Sequence, residues 1–122
     1  MSETPKLHIL LVEDDPVNSQ LFKMMLERLG YEVCWVDNGQ KALDELTQPK
    51  EISYSLVFMD CQMPVLDGYA ATQKLRTWEQ STHQHQRTIV VGLTAYAMTE
   101  DRERCLQAGM DDYLSKPLKI NG

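Results

Sequence analysis

Short apolar runs alternate with amphipathic segments along nearly the whole of this 122-residue chain, and that alternation restricts its fold more than any other feature. Leu7 to Val12 is an almost continuous apolar run, followed by Glu13, Asp14, Asp15 and Pro16. An apolar run that ends in acids, with Pro at a first helical position, reads as strand, loop and helix start. Beyond it Val17, Leu21, Met24, Met25 and Leu29 recur at helical spacing on one face, which assigns Met24 and Met25 to the core. Gly30 stops that helix. Val33 to Val36 is a second strand, Asn38-Gly39 a turn, and Ala42, Leu43 and Leu46 mark a short helix ended by Pro49. Ser55 to Met59 is a third strand closed by Asp60, and a loop from Met63-Pro64 leads to Asp67-Gly68, which opens a helix with Ala71, Leu75 and Trp78 on one face. Gln80 to Thr88 reads as a long exposed loop. Thr88 to Leu93 is a fourth strand ending at Thr94, Thr99 to Ala108 a helix stopped by Gly109, and Asp111 to Ser115 a fifth strand before Lys116-Pro117.

Five strand–helix units, the last without its helix, predict a parallel sheet with helices on both faces. The length suits one domain, and no repeat or linker divides it. No apolar run can span a bilayer, and Met1 to Lys6 lacks the layout of a secretory signal. The expected compartment is therefore the cytoplasm. The net charge of −6 argues against direct nucleic-acid binding, which needs a basic face. Cys34, Cys61 and Cys105 are odd in number and distant in sequence, so a disulfide framework or zinc knuckle is not expected and all three read as reduced thiols.

In open α/β sheets, ligands bind outside the carboxyl ends of the strands. Here those ends carry Glu13 and Asp14, Asp60, Thr94 and Lys116. Two carboxylates about 5 Å apart repel by roughly 3 kcal/mol at an effective dielectric near 20. Lys116 offsets part of this, and a bound cation is the usual remedy for the rest. An oxygen-lined site with one Lys favours Mg²⁺, with Mn²⁺ as a substitute. Mg²⁺, a carboxylate, a Lys and a Thr together suit phosphoryl transfer, which is mainly positioning and charge neutralisation. On this reading Asp60 attacks phosphorus, as Asp does in other covalent acceptors. Glu13 and Asp14 hold the metal, Lys116 supplies a second cation, and Thr94 donates to the arriving phosphoryl group.

Four ordered motifs carry a family resemblance over roughly Lys6 to Leu118. They are Ile9-Leu10-Leu11-Val12-Glu13-Asp14, then Val57-Phe58-Met59-Asp60-Cys61-Gln62-Met63-Pro64-Val65-Leu66-Asp67-Gly68, then Leu93-Thr94-Ala95, then Ala108-Gly109-Met110-Asp111-Asp112-Tyr113-Leu114-Ser115-Lys116-Pro117. The chain resembles the receiver domain of two-component response regulators, and more closely the receivers of hybrid sensor histidine kinases. The resemblance implies a flavodoxin-like, doubly wound sheet of order 2-1-3-4-5, and that order rests on the resemblance alone. It implies that Asp60 is the phosphoacceptor, that Asp14 ligates Mg²⁺ directly and Glu13 through water, and that Gln62 offers its backbone carbonyl. Thr94 and Tyr113 become a coupled switch pair and Lys116, before a cis Pro117, the phosphate-binding lysine. The implied partner is a histidine kinase or histidine phosphotransfer domain, and Gln62 and Tyr96 fall where the family tunes the lifetime of the phosphorylated state.

Plainer roles compete at several positions. Asp15 caps the first helix. His8 is a strand residue, and His83 and His85 are surface residues without matching ligands. Cys61 stands out only as a site of oxidation. Three other functions compete with the phosphoacceptor. A flavin or nucleotide binder wants a phosphate-cradling loop after strand one, where this chain has acids. An Asp-dependent phosphatase wants a second Asp where Gln62 stands. A pseudo-receiver would lack the acceptor set. After Pro117 only five residues remain, too few for the family's last helix. Either the chain is a piece, or the uncovered face pairs in a homodimer.

Overall fold

Five parallel strands form one sheet in the order β2-β1-β3-β4-β5, as the resemblance implied. The computed structural model describes residues 7–48, 53–63, 65–82, 87–94 and 99–115. The elements are β1 His8–Val12, α1 Pro16–Arg28, β2 Glu32–Val36, α2 Gly39–Thr47, β3 Tyr54–Asp60, α3 Gly68–Ser81, β4 Val90–Thr94, α4 Thr99–Ala108 and β5 Asp112–Ser115. Each strand and helix read from the sequence is present. Lys116, Pro117, Tyr96, His83, His85 and the segment after Pro117 lie outside the described residues. Among the described residues, no helix is long and apolar enough to cross a membrane.

The strand interiors are apolar on both sides because helices cover both faces. Alternation splits their side chains into two cores. Leu10, Val12, Val57 and Met59 join Ala42 of α2, Ala71 and Leu75 of α3 and Cys105 of α4 on one face. Ile9, Leu11, Phe58 and Leu93 meet Phe22 and Leu26 of α1 on the other. There the Phe22 and Phe58 rings meet edge to face, 4.8 Å between centroids, a favoured aromatic geometry.

Helix α1 overturns one expectation. Val17, Leu21 and Met24 are 66%, 57% and 51% exposed, Leu29 is exposed too, and the buried face is Ser19, Phe22 and Leu26. Met25 is half-buried. The chain carries two apolar stripes on this helix, and the short connection from β1 decides which one turns inward. Asp15 caps the helix by accepting from the Val17 N–H at 2.9 Å, and Pro16 takes the first helical position. Ser19 is tolerated inside because its hydroxyl donates to the Pro16 carbonyl at 2.8 Å.

Helix α3 also runs further than expected, through Gln80 and Ser81. Ser81 and Thr82 hydroxyls donate to the Trp78 carbonyl at 3.0 and 2.7 Å and finish its last turn. Helices α1 and α4 are followed by Gly30 and Gly109 at φ +96° and +101°, a region where Gly lacks the Cβ penalty.

At the N-terminal edge of the sheet, Arg76 ties α3 to the strands beyond it. Its guanidinium reaches Glu79 and Asp111, each at 2.9 Å, and donates to the carbonyls of Gly109 and Thr88. Glu79 then accepts from the Thr88 N–H and Asp111 from the Val90 N–H. A nearly buried charge is acceptable here because partners surround it.

Candidate functional site

The opposite edge of the sheet holds the polar cluster. Glu13 and Asp14 leave β1, Asp60 is the last residue of β3 and Thr94 the last of β4. Parallel strands all point their carboxyl ends the same way, so these residues meet although up to 81 positions separate them. They line a cleft of about 250 Å³ together with Asn18 and Gln62. One carboxylate oxygen each from Glu13, Asp14 and Asp60 lies within 4.8 Å of the other two.

Local bonds hold each acid in place. The Glu13 N–H donates to the Val36 carbonyl at 3.1 Å and its own carbonyl accepts from Trp35 Nε1 at 2.7 Å. Its carboxylate accepts from Asn18 Nδ2 at 3.4 Å. Asp60 Oδ1 accepts from the Gln62 N–H at 3.2 Å, while the Cys61 N–H continues the sheet to the Leu93 carbonyl at 2.9 Å. The following helix is pressed close: a Cβ on Gly68 would run into the Asp60 carbonyl oxygen and stand 2.9 Å from Met59 Cγ. Only glycine lets α3 begin directly behind the acid. Asp67 caps that start by accepting from the Ala70 N–H at 2.8 Å.

Glu13 and Asp60 are both withdrawn from solvent, at 3% exposure each, whereas Asp14 is exposed. Carboxylates at this spacing repel by roughly 3 kcal/mol per pair at an effective dielectric near 20. The donor atoms are all oxygen, which suits a hard divalent cation. The chain's residues therefore fit a metal of the Mg²⁺ class.

Of the residues expected from the sequence, Glu13, Asp14, Asp60, Gln62 and Thr94 come together. Tyr113 does not line the cleft. It is half-buried on β5, opposite Gly92 in the register, and packs on the α3/α4 side of the sheet. Asn18 lines the cleft and was not expected. Its position in the first turn of α1, five residues past Glu13, was the available signal. Cys61 is buried, and that burial pushes its thiol up to about 12, so it is held as a neutral thiol and not as a reactive thiolate.

The comparisons with known proteins agree with this geometry. The response regulator receiver domain profile matches residues 9–122. The receiver domain of sensor histidine kinase PA1611 from Pseudomonas aeruginosa, crystallised with a magnesium ion in its active-site cleft, is 45% identical. It superposes with a TM-score of 0.79 over 94% of this chain and 88% of its own. The Saccharomyces cerevisiae Ssk1 receiver, solved in complex with the phosphotransfer protein Ypd1, is 31% identical with a TM-score of 0.86 over 97% and 83% of the two chains. The sensor histidine kinase GacS of Pseudomonas protegens is 44% identical over 90% of this chain, which spans 12% of that protein's length. By sequence, by strand order and by the acids gathered at the sheet's carboxyl edge, the chain belongs to the response regulator receiver domain family.

Proposed function

We propose that this domain is a cytoplasmic signalling switch that takes a phosphoryl group from a phosphohistidine onto Asp60. The observation that carries this reading is the convergence of Glu13, Asp14 and Asp60 within 4.8 Å at the strand ends. An Asp60 carboxylate oxygen forms the new bond to phosphorus as the phosphorus–nitrogen bond to the donor imidazole breaks, and the imidazole nitrogen keeps the electron pair. Bound Mg²⁺ supplies positive charge to the phosphoryl oxygens. Glu13, Asp14, Asp60 and the Gln62 carbonyl are the residues to hold it. Gln62 N–H and Asn18 orient the carboxylates before reaction. Thr94, 5% exposed at the end of β4, is assigned to donate to the group once it arrives, and Lys116 to bind it. The domain thus promotes its own modification without turning over a separate substrate.

The donor is proposed to be a histidine kinase or histidine phosphotransfer domain, and the outward stripe of α1 supports this. Val17, Leu21 and Met24 form an exposed apolar row that starts at the rim of the cleft, beside a groove lined by Pro16, Gln20 and Trp35. A helical donor lying on that row would bring its histidine to Asp60. Readout is proposed to run through Thr94 and Tyr113, as a shift between two populated arrangements.

Acetyl phosphate or beryllofluoride with Mg²⁺, followed by mass or NMR, tests the central claim. Wild type gains one adduct, and chelation of the metal or Asp60→Asn abolishes it. An absent adduct favours a pseudo-receiver that only binds proteins, and an adduct that survives Asp60→Asn moves the acceptor elsewhere.

A further inference from the structure

Trp35 stands between the two surfaces that the proposed function uses. Its indole Nε1–H donates to the Glu13 carbonyl at 2.7 Å. Its ring, 40% exposed, lines the groove beside the outward row of α1 with Pro16, Gln20 and Lys23. The pairing of β1 with β2 runs out at Val12 and Val36. One backbone bond follows, from the Glu13 N–H to the Val36 carbonyl at 3.1 Å, and the Trp35 side chain adds the next. The carbonyl it holds belongs to the peptide that joins Glu13 to Asp14. That peptide is the joint on which the exposed Asp14 turns toward or away from the buried Glu13 and Asp60. Three carboxylates within 4.8 Å of one another push it away, because like charges repel. A cleft that relaxes in this way has to be drawn together again when a cation enters, and that work is subtracted from affinity.

We propose that Trp35 is a positioning residue for the acids of the cleft. Its indole N–H fixes the Glu13–Asp14 peptide, keeps the three carboxylates converged for a divalent cation, and links the affinity for that cation to the groove beside α1. The inference rests on the reading of the cleft as an Mg²⁺-dependent phosphoacceptor site and adds a determinant to it. Trp35 lines the groove and not the cleft, so it acts through Glu13 and Asp14. Asn18 holds the Glu13 carboxylate from α1 at 3.4 Å, while Trp35 holds its main chain from β2, so Glu13 is gripped from two elements. Partners that orient metal ligands from behind typically change metal affinity by about 10- to 100-fold. Because the ring that makes this bond also faces the groove, one stiff side chain joins the two surfaces, and the coupling acts in both directions.

The test is Mg²⁺ titration of the full chain by NMR and calorimetry, in wild type, in Trp35→Phe, and in a chain carrying benzothienylalanine at position 35. The last keeps the bicyclic ring and replaces the N–H by sulfur. Circular dichroism and urea unfolding confirm that each is folded. The chain has two tryptophans. The Trp35 Nε1–H resonance is expected to shift and saturate together with the cleft amides, while that of Trp78, in the last turn of α3, stays in place. Both replacements are expected to weaken Mg²⁺ binding about tenfold. Labelling of Asp60 by acetyl phosphate then slows at low Mg²⁺ and returns to the wild-type rate at saturating Mg²⁺, which separates a role in affinity from one in chemistry or in general stability. An affinity within about twofold of wild type in the isosteric replacement overturns the proposal. So does slowing that saturating Mg²⁺ leaves in place, or a Trp35 resonance that stays still while the cleft amides shift. A wild-type chain that binds no Mg²⁺ overturns the proposed function as well. A wild type that binds Mg²⁺ and labels on Asp60, with an affinity indifferent to position 35, overturns this inference alone.

Discussion

Helix α1 meets the sheet through Phe22 and Leu26 and holds Val17, Leu21 and Met24 outward, whereas α3 meets the opposite face through Ala71, Thr72 and Leu75 and holds Gln73, Lys74 and Thr77 outward. Both are capped by an Asp side chain. They differ in what happens to apolar area. In α3 it goes inward, and Arg76 locks the helix to β4 and to the turn before β5. In α1 part of it stays in water beside the cleft. A folded helix that keeps a row of large apolar side chains outside marks a contact surface. The difference separates a helix that builds the domain from one that also presents it.

Four sets of substitutions sharpen or break that contrast. The largest effect is expected inside both helices. Phe22→Ala should cost about 3–5 kcal/mol and Leu75→Ala about 2–5 kcal/mol in urea unfolding, equal treatment that shows each helix has one true core face. A Phe22→Ala cost under about 1 kcal/mol would mean α1 packs through its other stripe. Arg76→Met should cost about 3 kcal/mol, because the buried Glu79 loses its cation, while the exposed Asp111 keeps Arg87 at 3.0 Å. Nothing comparable exists on α1 among the described residues, so no single polar substitution there should match it. Removing the caps, Asp15→Ala and Asp67→Ala, should cost about 1 kcal/mol each, a second respect in which the helices are alike. The smallest stability change is expected for Leu21→Gln and Met24→Gln, under about 0.5 kcal/mol. Those two should nonetheless slow phosphotransfer from a histidine-bearing partner about tenfold, a loss of about 1.4 kcal/mol at an interface, while labelling by acetyl phosphate is unchanged. Equal slowing with both donors would place the stripe in the chemistry and not in docking.

The α1 stripe also shows where sequence reasoning stops. Spacing picks out Val17, Leu21, Met24 and Leu29 as a helical face, and a face they are, but the outer one. Periodicity states which side chains lie together on a helix and not which way the helix is rolled against its sheet. The roll comes from the three-residue connection after Val12 and from the fit of Phe22 to Phe58. For α3 the same reasoning succeeds because its outward residues are polar and leave only one roll that buries apolar area. The acids at the cleft are legible early, since a parallel sheet forces every strand end to one edge. Asn18 escapes notice because its role depends on the angle at which α1 leaves that edge.

Two further contacts could not be read from spacing at all. The Cys61–Cys105 approach and the Arg76–Asp111 pair close loops of 44 and 35 residues, and no local pattern encodes either. By itself the sequence determined the alternation of elements, the glycine stops, the Asp caps and the acids at strand ends, because each follows from a few neighbouring residues and the fixed geometry of strand and helix. The tertiary structure decided the roll of α1, the closeness of three carboxylates, the approach of Cys61 to Cys105 and the anchoring of α3. Those depend on distances across the sheet, which exist only once the strands have paired and the helices have settled on them.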